Sequence, residues 1–478
     1  MLKVEKDIYD VVIIGAGMSG LVCGCYLAKA GMQVLIAEQH FKPGGYCTSF
    51  KRQNFTFDAA AHSFGGYRED GIVRKVFNDL EISKRLKITR YDPSDIIITP
   101  DYKISFWADL DKTINDFQRA FPDESHKISD FFHFLIQPTP QFLAQTRSWT
   151  FNNLLDKYFK NDKLKAILSF PLFGNGGLPP SLMSSFIGVK IFREFLLDGG
   201  YYPEAGMQTL PNVLAERFKE FGGELRLSCP VKKIRVNVDK VMGVDLENDG
   251  FIQSKQVVSN CDARQTFLKL LGKKIVNENL LNKIQRMTPS PSMFILYLGV
   301  NQNFDKLPNP GINVWFLSQY NLDNAYLSVQ KGDLNNLGRY MVHVLPDNKS
   351  VLAFLNVSFK NKKYWDDNKK KFSESFLNVI EKNTIPELSK NLVHCEAATP
   401  HTLYRYTLNY KGAAYGWASI PSQLADSDFK KPSFIQGLYI TGHWSTQGLG
   451  ISGVIYLGYD TANLIIKRMT KRYGIIET

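Results

Sequence analysis

Tyr9-Asp10-Val11-Val12-Ile13-Ile14-Gly15-Ala16-Gly17-Met18-Ser19-Gly20 runs from a β-branched apolar segment straight into a G-x-G-x-x-G turn. A continuous apolar run of this kind reads as a strand buried on both faces of a parallel sheet, here over 9–14. The small residues of 18–30 read as a helix and 33–37 as a second buried strand, so strand, turn, helix and strand make one right-handed βαβ unit. Gly15 permits the tight turn, Gly17 lets the backbone approach a pyrophosphate, and Gly20 lets helix and strand pack closely, with Ala16, Met18 and Ser19 completing the binding turn. The helix N-terminus carries roughly half a positive charge, which favours phosphate. Glu38 ends the second strand, where its carboxylate can accept hydrogen bonds from a ribose hydroxyl; an acid there disfavours a 2′-phosphate and so NADP.

A G-x-G-x-x-G on its own is weak, but with the strand before it, the helix after it and the spaced acid it is a strong dinucleotide signature. NAD and FAD remain. The loop Pro43-Gly44-Gly45-Tyr46-Cys47-Thr48 is placed to pass the pyrophosphate a second time, which suits a cofactor that extends further than NAD.

Outward from this unit, 72–200 is rich in Phe and in helical patterns. Its densest block, Phe131, Phe132, Phe134, Leu135 and Ile136, reads either as helix core or as a greasy lining or membrane-facing lid. An amphipathic helix over 210–221 is ended by Gly222 and Gly223. Short alternating strands follow over 231–238, 241–246 and 256–259, then 294–300, 340–345 and 352–357, the latter three suggesting a second sheet. The chain closes with a strand over 437–441, a glycine-rich loop and a helix over 453–469. The expected class is α/β: a discontinuous Rossmann-type domain of 1–88, 205–290 and 425–478, and a substrate domain of mixed sheet and helical lid formed by 89–204 and 291–424.

The 478 residues, 44% of them hydrophobic, suffice for two or three domains with a sizeable core. The net charge of +12 is spread along the chain. Its densest cluster, 360–371, is interrupted by Asp366 and Asp367 and reads as a solvated face or a patch for anionic lipid. No nucleic-acid motif accompanies the charge. The six cysteines read as free thiols in a reducing compartment, and no metal-ligand cluster, Ser-His-Asp pattern or P-loop is present. The first ten residues lack an apolar signal core and no run of about 18 apolar residues occurs. The expected location is the cytoplasm, with contact at a membrane surface through the Phe131 block or Leu464-Ile465-Ile466-Lys467-Arg468.

Five blocks together resemble the FAD-dependent phytoene desaturase, carotenoid isomerase and retinol saturase family, within the wider amine-oxidase-like flavoproteins. They are the 15–38 unit with Gly44-Gly45; Phe57-Asp58-Ala59-Ala60-Ala61-His62; Tyr202-Pro203-Glu204-Ala205-Gly206-Met207; Arg405-Tyr406-Thr407-Leu408-Asn409 with Gly412-Ala413-Ala414-Tyr415-Gly416; and Leu438-Tyr439-Ile440-Thr441-Gly442-His443-Trp444 with Gly448-Leu449-Gly450-Ile451-Ser452-Gly453-Val454. Ala205 stands where the family usually has glycine. The resemblance implies FAD as cofactor, Val231 holding the adenine through its backbone, and Gly442, His443, Gly450, Ile451 and Val454 near the flavin. More distant amine oxidases carry an acid after the strand glycine; His443 departs from that pattern.

The implied activity is desaturation or saturation of a long apolar isoprenoid or carotenoid-like polyene by hydride exchange with flavin N5. Flavin-dependent cis–trans isomerisation is the alternative, and a non-enzymatic prenyl-lipid carrier the reading outside enzymology. A polyene calls for a long apolar tunnel with few polar groups, which the Phe-rich region can supply. His62, Arg405, Tyr406 and His443 are the candidate catalytic residues. Each also has a plain structural reading: an ordinary hydrogen-bonded histidine for His62, and a strand surface for Arg405 and Tyr406. Glu204 is either a proton donor or a turn residue.

Overall fold

The computed structural model describes residues 8–331, 337–424, 429–432, 434–447 and 450–473. Strand Tyr9–Ile14 lies at the centre of a sheet, parallel to Val34–Ala37 on one side and to the end of Gly250–Ser259 on the other. Val12 faces Leu35 and Val257 across those two ladders, and all three are fully buried, as the unbroken apolar run requires. Among the described residues this sheet has seven strands. Val231–Asn237 and Lys240–Leu246 extend it antiparallel from the first half of Gly250–Ser259, Glu224–Arg226 forms the other edge, and Leu438–Ile440 pairs with the second half of Gly250–Ser259.

Helix Met18–Lys29 is covered by the last helix, Gly450–Tyr473. The two cross so closely that a Cβ on Gly458 would lie 2.4 Å from the Ser19 carbonyl oxygen. The last helix thus begins at least three residues earlier than the sequence pattern suggests; Gly448 and Leu449, the start of its glycine-rich loop, lie outside the described residues.

Among the described residues the second sheet also has seven strands, in the order Leu392–Ala398, Ser292–Val300, Ser350–Val357, Arg339–Val344, Asn313–Leu317, Asp95–Ile98 and Lys103–Phe106, with one parallel pair, Asn313–Leu317 beside Asp95–Ile98. The last two strands at one end, Asp95–Ile98 and the edge strand Lys103–Phe106, fall inside the stretch read as helical.

One expectation, the strand at Arg405 and Tyr406, is corrected, and the alternatives left open for the Phe131 block and the basic cluster are narrowed. The Phe131 block is core: Phe131, Phe132 and Leu135 have no exposed surface, and the Phe131 ring packs edge-on against Phe159 and Phe192 at 5.2 and 6.1 Å. Ile465, in the other proposed membrane segment, is equally buried. Arg405 and Tyr406 lie on a helix, Pro400–Thr407, and not on a strand. Thr399 caps that helix with a reciprocal Thr402 bond and Pro400 takes its first position, where a missing N–H costs nothing. The basic cluster lies on helix Lys362–Asn383, where Lys362–Asp366 and Lys363–Asp367 pair one turn apart at 2.6 and 3.1 Å, as on a solvated face. Among the described residues no helix is long and apolar enough to cross a membrane.

Candidate active site

A single continuous cavity begins outside the carboxyl ends of the first sheet's parallel strands, at Ile14, Ala37, Asn260 and Thr441, and runs on to the second sheet at Met293, Asn313 and Phe354. The crevice beyond strand C-termini is where open α/β sheets bind ligands.

At its near end Glu38 lies beside Val231, held by a bond from the Cys229 N–H to the Glu38 carbonyl at 2.8 Å. The Glu38 carboxylate accepts the Ala16 N–H at 2.7 Å and the His40 N–H at 2.9 Å, one on each oxygen, so each oxygen keeps a lone pair for a further donor. Tyr406 borders this end, its carbonyl accepting from Gln39 Nε2 at 3.2 Å. Tyr406 is therefore held against Gln39 and His40, the two residues that follow Glu38. Arg405 is not among the lining residues and stacks on the Tyr406 ring. Glu204 is exposed, bonded to Lys87 at 2.7 Å and Thr89 at 3.0 Å, outside the cavity.

Next comes the glycine turn. Gly15 takes a φ of 96°, which few side-chain-bearing residues adopt. A Cβ on Gly20 would sit 2.2 Å from the Gly15 carbonyl oxygen, so Gly20 is the close-packing glycine. Gly20 and Ala16 support the turn from behind, while Gly15, Gly17, Met18 and Ser19 face the cavity. Gly44 crosses over the turn, its N–H donating to the Ala16 carbonyl at 2.9 Å, and Gly45 lines the cavity beside it. The first turn of helix Met18–Lys29 has no side-chain cap and no acidic residue. Its unpaired N–H groups thus point at a site whose approach glycine keeps open, a cradle that fits a pyrophosphate.

Beyond the turn, Gly442, His443, Gly450, Ile451, Val454 and Tyr46 line the cavity, the Tyr46 and His443 rings 6.3 Å apart. The Gly450 α-carbon packs on the Phe195 ring, where a Cβ would come within 1.9 Å. Asn409 ties this region together, donating to the Tyr46 hydroxyl at 3.2 Å and accepting from Trp444 Nε1 at 2.9 Å. Desolvation pushes the His443 imidazole down to about 4, so it is neutral at ordinary pH. Burial raises the Cys47 thiol above its usual range, so this cavity-lining sulfur stays protonated and unreactive.

The far end is walled by Ala60, Ala61, Ile191, Phe195, Met293 and Phe354. Among the described residues of the 72–200 region, Asp95, Asn175, Ile191 and Phe195 reach the cavity, while most of its phenylalanines are core. His62 is here, its Nδ1 3.0 Å from Asn313 Oδ1, and burial pushes it down to about 4 as well. Asp95 also lines this end, but its carboxylate accepts from Trp315 Nε1 at 2.7 Å, Asn313 Nδ2 at 3.0 Å and the Ser94 hydroxyl at 2.7 Å. Sequence reasoning passed over Asn175, Asn313, Asp95 and Asn260. Only Asn260 had a signal, ending the apolar run Val257-Val258-Ser259; its side chain lies 2.9 Å from where a Gly17 Cβ would be.

Phytoene desaturase (lycopene-forming) of Pseudescherichia vulneris is 25% identical over 504 residues, covering 95% of this chain and 99% of the relative. All-trans-retinol 13,14-reductase of Danio rerio is 23% identical, covering 98% and 87%. Prolycopene isomerase 2, chloroplastic, of an Oncidium hybrid cultivar is 25% identical, covering 96% and 84%. An oxidoreductase from Methanosarcina mazei shares the fold, with a TM-score of 0.67 at 17% identity over 96% of this chain and 99% of that one. The model of the family described as flavin containing amine oxidoreductase matches residues 18–466. The chain therefore belongs to the flavin-containing amine oxidoreductase family and is an FAD-dependent oxidoreductase.

Proposed function

We propose that the chain moves hydrogen between FAD and a carbon–carbon bond of a long apolar isoprenoid or carotenoid-like polyene, as a desaturase or a saturase. The observation that carries this reading is the apolar continuation of the cavity past Gly442 and His443 into the wall of Ile191, Phe195, Met293 and Phe354. A cationic amine is best matched by a carboxylate free to pair with it. The one carboxylate at that end, Asp95, is engaged by three donors, and the two imidazoles are driven neutral. The activities for which the relatives are named, on phytoene, retinol and prolycopene, agree with an apolar substrate.

In this reading Gly15, Gly17, Met18 and Ser19 meet the pyrophosphate, Ala16 and Gly20 shape the turn, and Gly44 and Gly45 close over it. Glu38 accepts a ribose hydroxyl bond and Val231 borders the adenine. Gly442, His443, Gly450, Ile451 and Val454 flank the flavin. Bound FAD supplies the two-electron acceptor or donor. The chain orients the polyene against it and keeps water out with the Phe195 and Phe354 rings. A cofactor domain of 1–88, 205–290 and 425–478 and a substrate domain of 89–204 and 291–424 go with this reading, which is supported by the strands of each seven-stranded sheet falling wholly within one set of segments. Peripheral contact with a bilayer, the reservoir of such substrates, belongs to the same proposal.

The isomerase reading is favoured by the prolycopene isomerase relatives. Incubating the holoprotein with polyenes, once with oxidised and once with chemically reduced flavin, separates the two. A product changed by two hydrogens supports the redox reading. Turnover only with reduced flavin, at unchanged substrate mass, replaces it with isomerisation.

A further inference from the structure

Helix Ser185–Ile191 turns Ile187 and Ile191 into the core and leaves Phe186 and Lys190, one turn apart, on its outer side. Leu182, just before this helix, and Tyr456, on the last helix, are also open to solvent. Leu182, Phe186 and Tyr456 are 39, 40 and 41% exposed. Lys190 joins the two helices into one face, its ammonium 5.3 Å from the centre of the Tyr456 ring. On the other flank the Ser185 N–H donates to the Trp149 carbonyl at 2.9 Å and the Ser185 hydroxyl to the Thr146 carbonyl at 3.0 Å. The half-buried Trp149 carries the Lys157 ammonium 4.4 Å from its ring and packs edge-on against Phe142 at 6.2 Å.

The charge here is positive. Among the described residues Arg147, Lys157 and Lys190 have no carboxylate partner. The acids that adjoin them in the chain are already engaged. Asp156 pairs with Lys165 at 2.9 Å and accepts from Asn152 at 2.7 Å, and both Glu194 oxygens accept from Arg68 at 3.0 Å. Large apolar side chains left open together mark a contact surface, and aromatic rings mixed with cations are what the boundary of a bilayer selects.

Behind this face lies a small hollow bordered by Ile187, Lys190, Glu194, Gln447 and Ser452. Ile191 and Phe195 border it as well, and both line the far, apolar end of the main cavity, so hollow and cavity share these two side chains as a wall. The exposed face is thus set over the end of the cavity opposite Glu38.

We infer that the face of Leu182, Phe186, Lys190 and Tyr456 docks on an anionic lipid bilayer and holds the apolar end of the cavity against it. This rests on the reading of the cavity as a site for a long apolar chain, which gives that end, and not the Glu38 end, its reason to meet lipid. The unpaired cations supply attraction to anionic headgroups, and the open side chains supply insertion. Phe41, 73% exposed and three residues after Glu38, is the contrasting position: it is more open than any of the three, but lies at the wrong end.

The test is cofloatation of the FAD-loaded protein with vesicles of phosphatidylcholine and phosphatidylglycerol in equal parts, and with phosphatidylcholine alone. The native chain is expected to float with the mixed vesicles about tenfold or more better than with the neutral ones, and to lose this preference at high salt. Leu182→Glu combined with Phe186→Glu is expected to cut flotation about tenfold or more with flavin content and melting temperature unchanged, while Phe41→Glu floats like the native chain. A native chain left in the aqueous fraction, flotation that survives the double substitution, or an equal loss in Phe41→Glu overturns this face. Phytoene delivered in detergent micelles, followed by tryptophan quenching and the flavin visible band, checks the cavity apart from the membrane. Binding by both the native chain and the double variant keeps the apolar-chain reading whatever the vesicles show, and binding by neither overturns that reading.

Discussion

Gly17 and Gly20 share one turn, yet a methyl group at each meets a different obstacle. At Gly20 it would lie 2.2 Å from the Gly15 carbonyl oxygen, part of a backbone fixed between strand and helix. At Gly17 it would lie 2.9 Å from Asn260 Nδ2, the end of a side chain that can turn aside. Gly20→Ala is therefore expected to destabilise the apoprotein by about 1–3 kcal/mol, the usual cost of overpacking, and to abolish retained FAD. Gly17→Ala is expected to fold with a near-native melting temperature and a lowered flavin-to-protein absorbance ratio. Equal loss of stability in both would mean that the two methyl groups are equally resisted. The cavity imidazoles make a second prediction at this scale. Burial holds His443 and His62 at about 4, below the unfolded value of about 6.5. Between these limits the unfolded chain binds more protons, so their contribution to stability is full above about pH 6.5 and is lost as pH falls towards 4. The buried carboxyls Asp58, Asp95 and Asp262, raised by desolvation, act with the opposite sign in acid, so the slope of the whole protein is a mixture. Comparison with His443→Phe isolates one group: thermal melts of that variant's apoprotein should fall less steeply over this range than those of the native chain, and parallel curves would show that His443 is not desolvated.

Elements far apart in the chain are joined by one buried carboxylate. Asp58 ends strand Phe55–Asp58 and accepts from the Ser49 hydroxyl at 2.6 Å, the Tyr202 hydroxyl at 2.5 Å and the Met207 N–H at 3.2 Å. It fixes the second sequence block against the third, and with them the loop carrying Gly44 and Gly45. Asp58→Ala leaves three donors buried without a partner and is expected to cost about 3 kcal/mol or more, whereas Tyr202→Phe, which removes one donor and leaves the carboxylate two, should cost about 1 kcal/mol. Denaturant midpoints decide it; a loss below that of Tyr202→Phe would mean that Asp58 does not hold the blocks together. The importance of Asp58 is not visible in the chain, whereas the strands around Tyr9–Ile14 are, because burial on both faces leaves a continuous apolar record. Asp95–Ile98 escaped because a run of three isoleucines is too short to distinguish strand from helix, and its Phe-rich surroundings favoured helix. Tyr406 was placed on a strand although Thr399-Pro400 carried the helix-start signal. The Phe131 block shows the converse limit, since apolar content states that a segment is covered without saying by what.

Across the whole molecule the same limit applies to the site. Glu38 and the glycine turn were legible because one local unit builds them. His62, Asn175 and Asn313 come from three distant segments, and their convergence exists only once the second sheet has folded against the first. The cavity is lined from Glu38 to Asn313 by both sheets, so a ligand that fills it couples them. FAD bound by the native but not the unfolded chain adds RT ln(1 + [FAD]/Kd), about 2.7 kcal/mol at a hundredfold excess over Kd. The melting temperature should keep rising with the logarithm of FAD concentration well beyond saturation. AMP, which can occupy only the Glu38 and Val231 end, should give a smaller rise at equal concentration, because it leaves the walls at Gly442, Gly450 and Tyr46 apart. An AMP effect as large as that of FAD would mean that the flavin half of the cavity contributes no binding energy, and that the two sheets are held together without the cofactor between them.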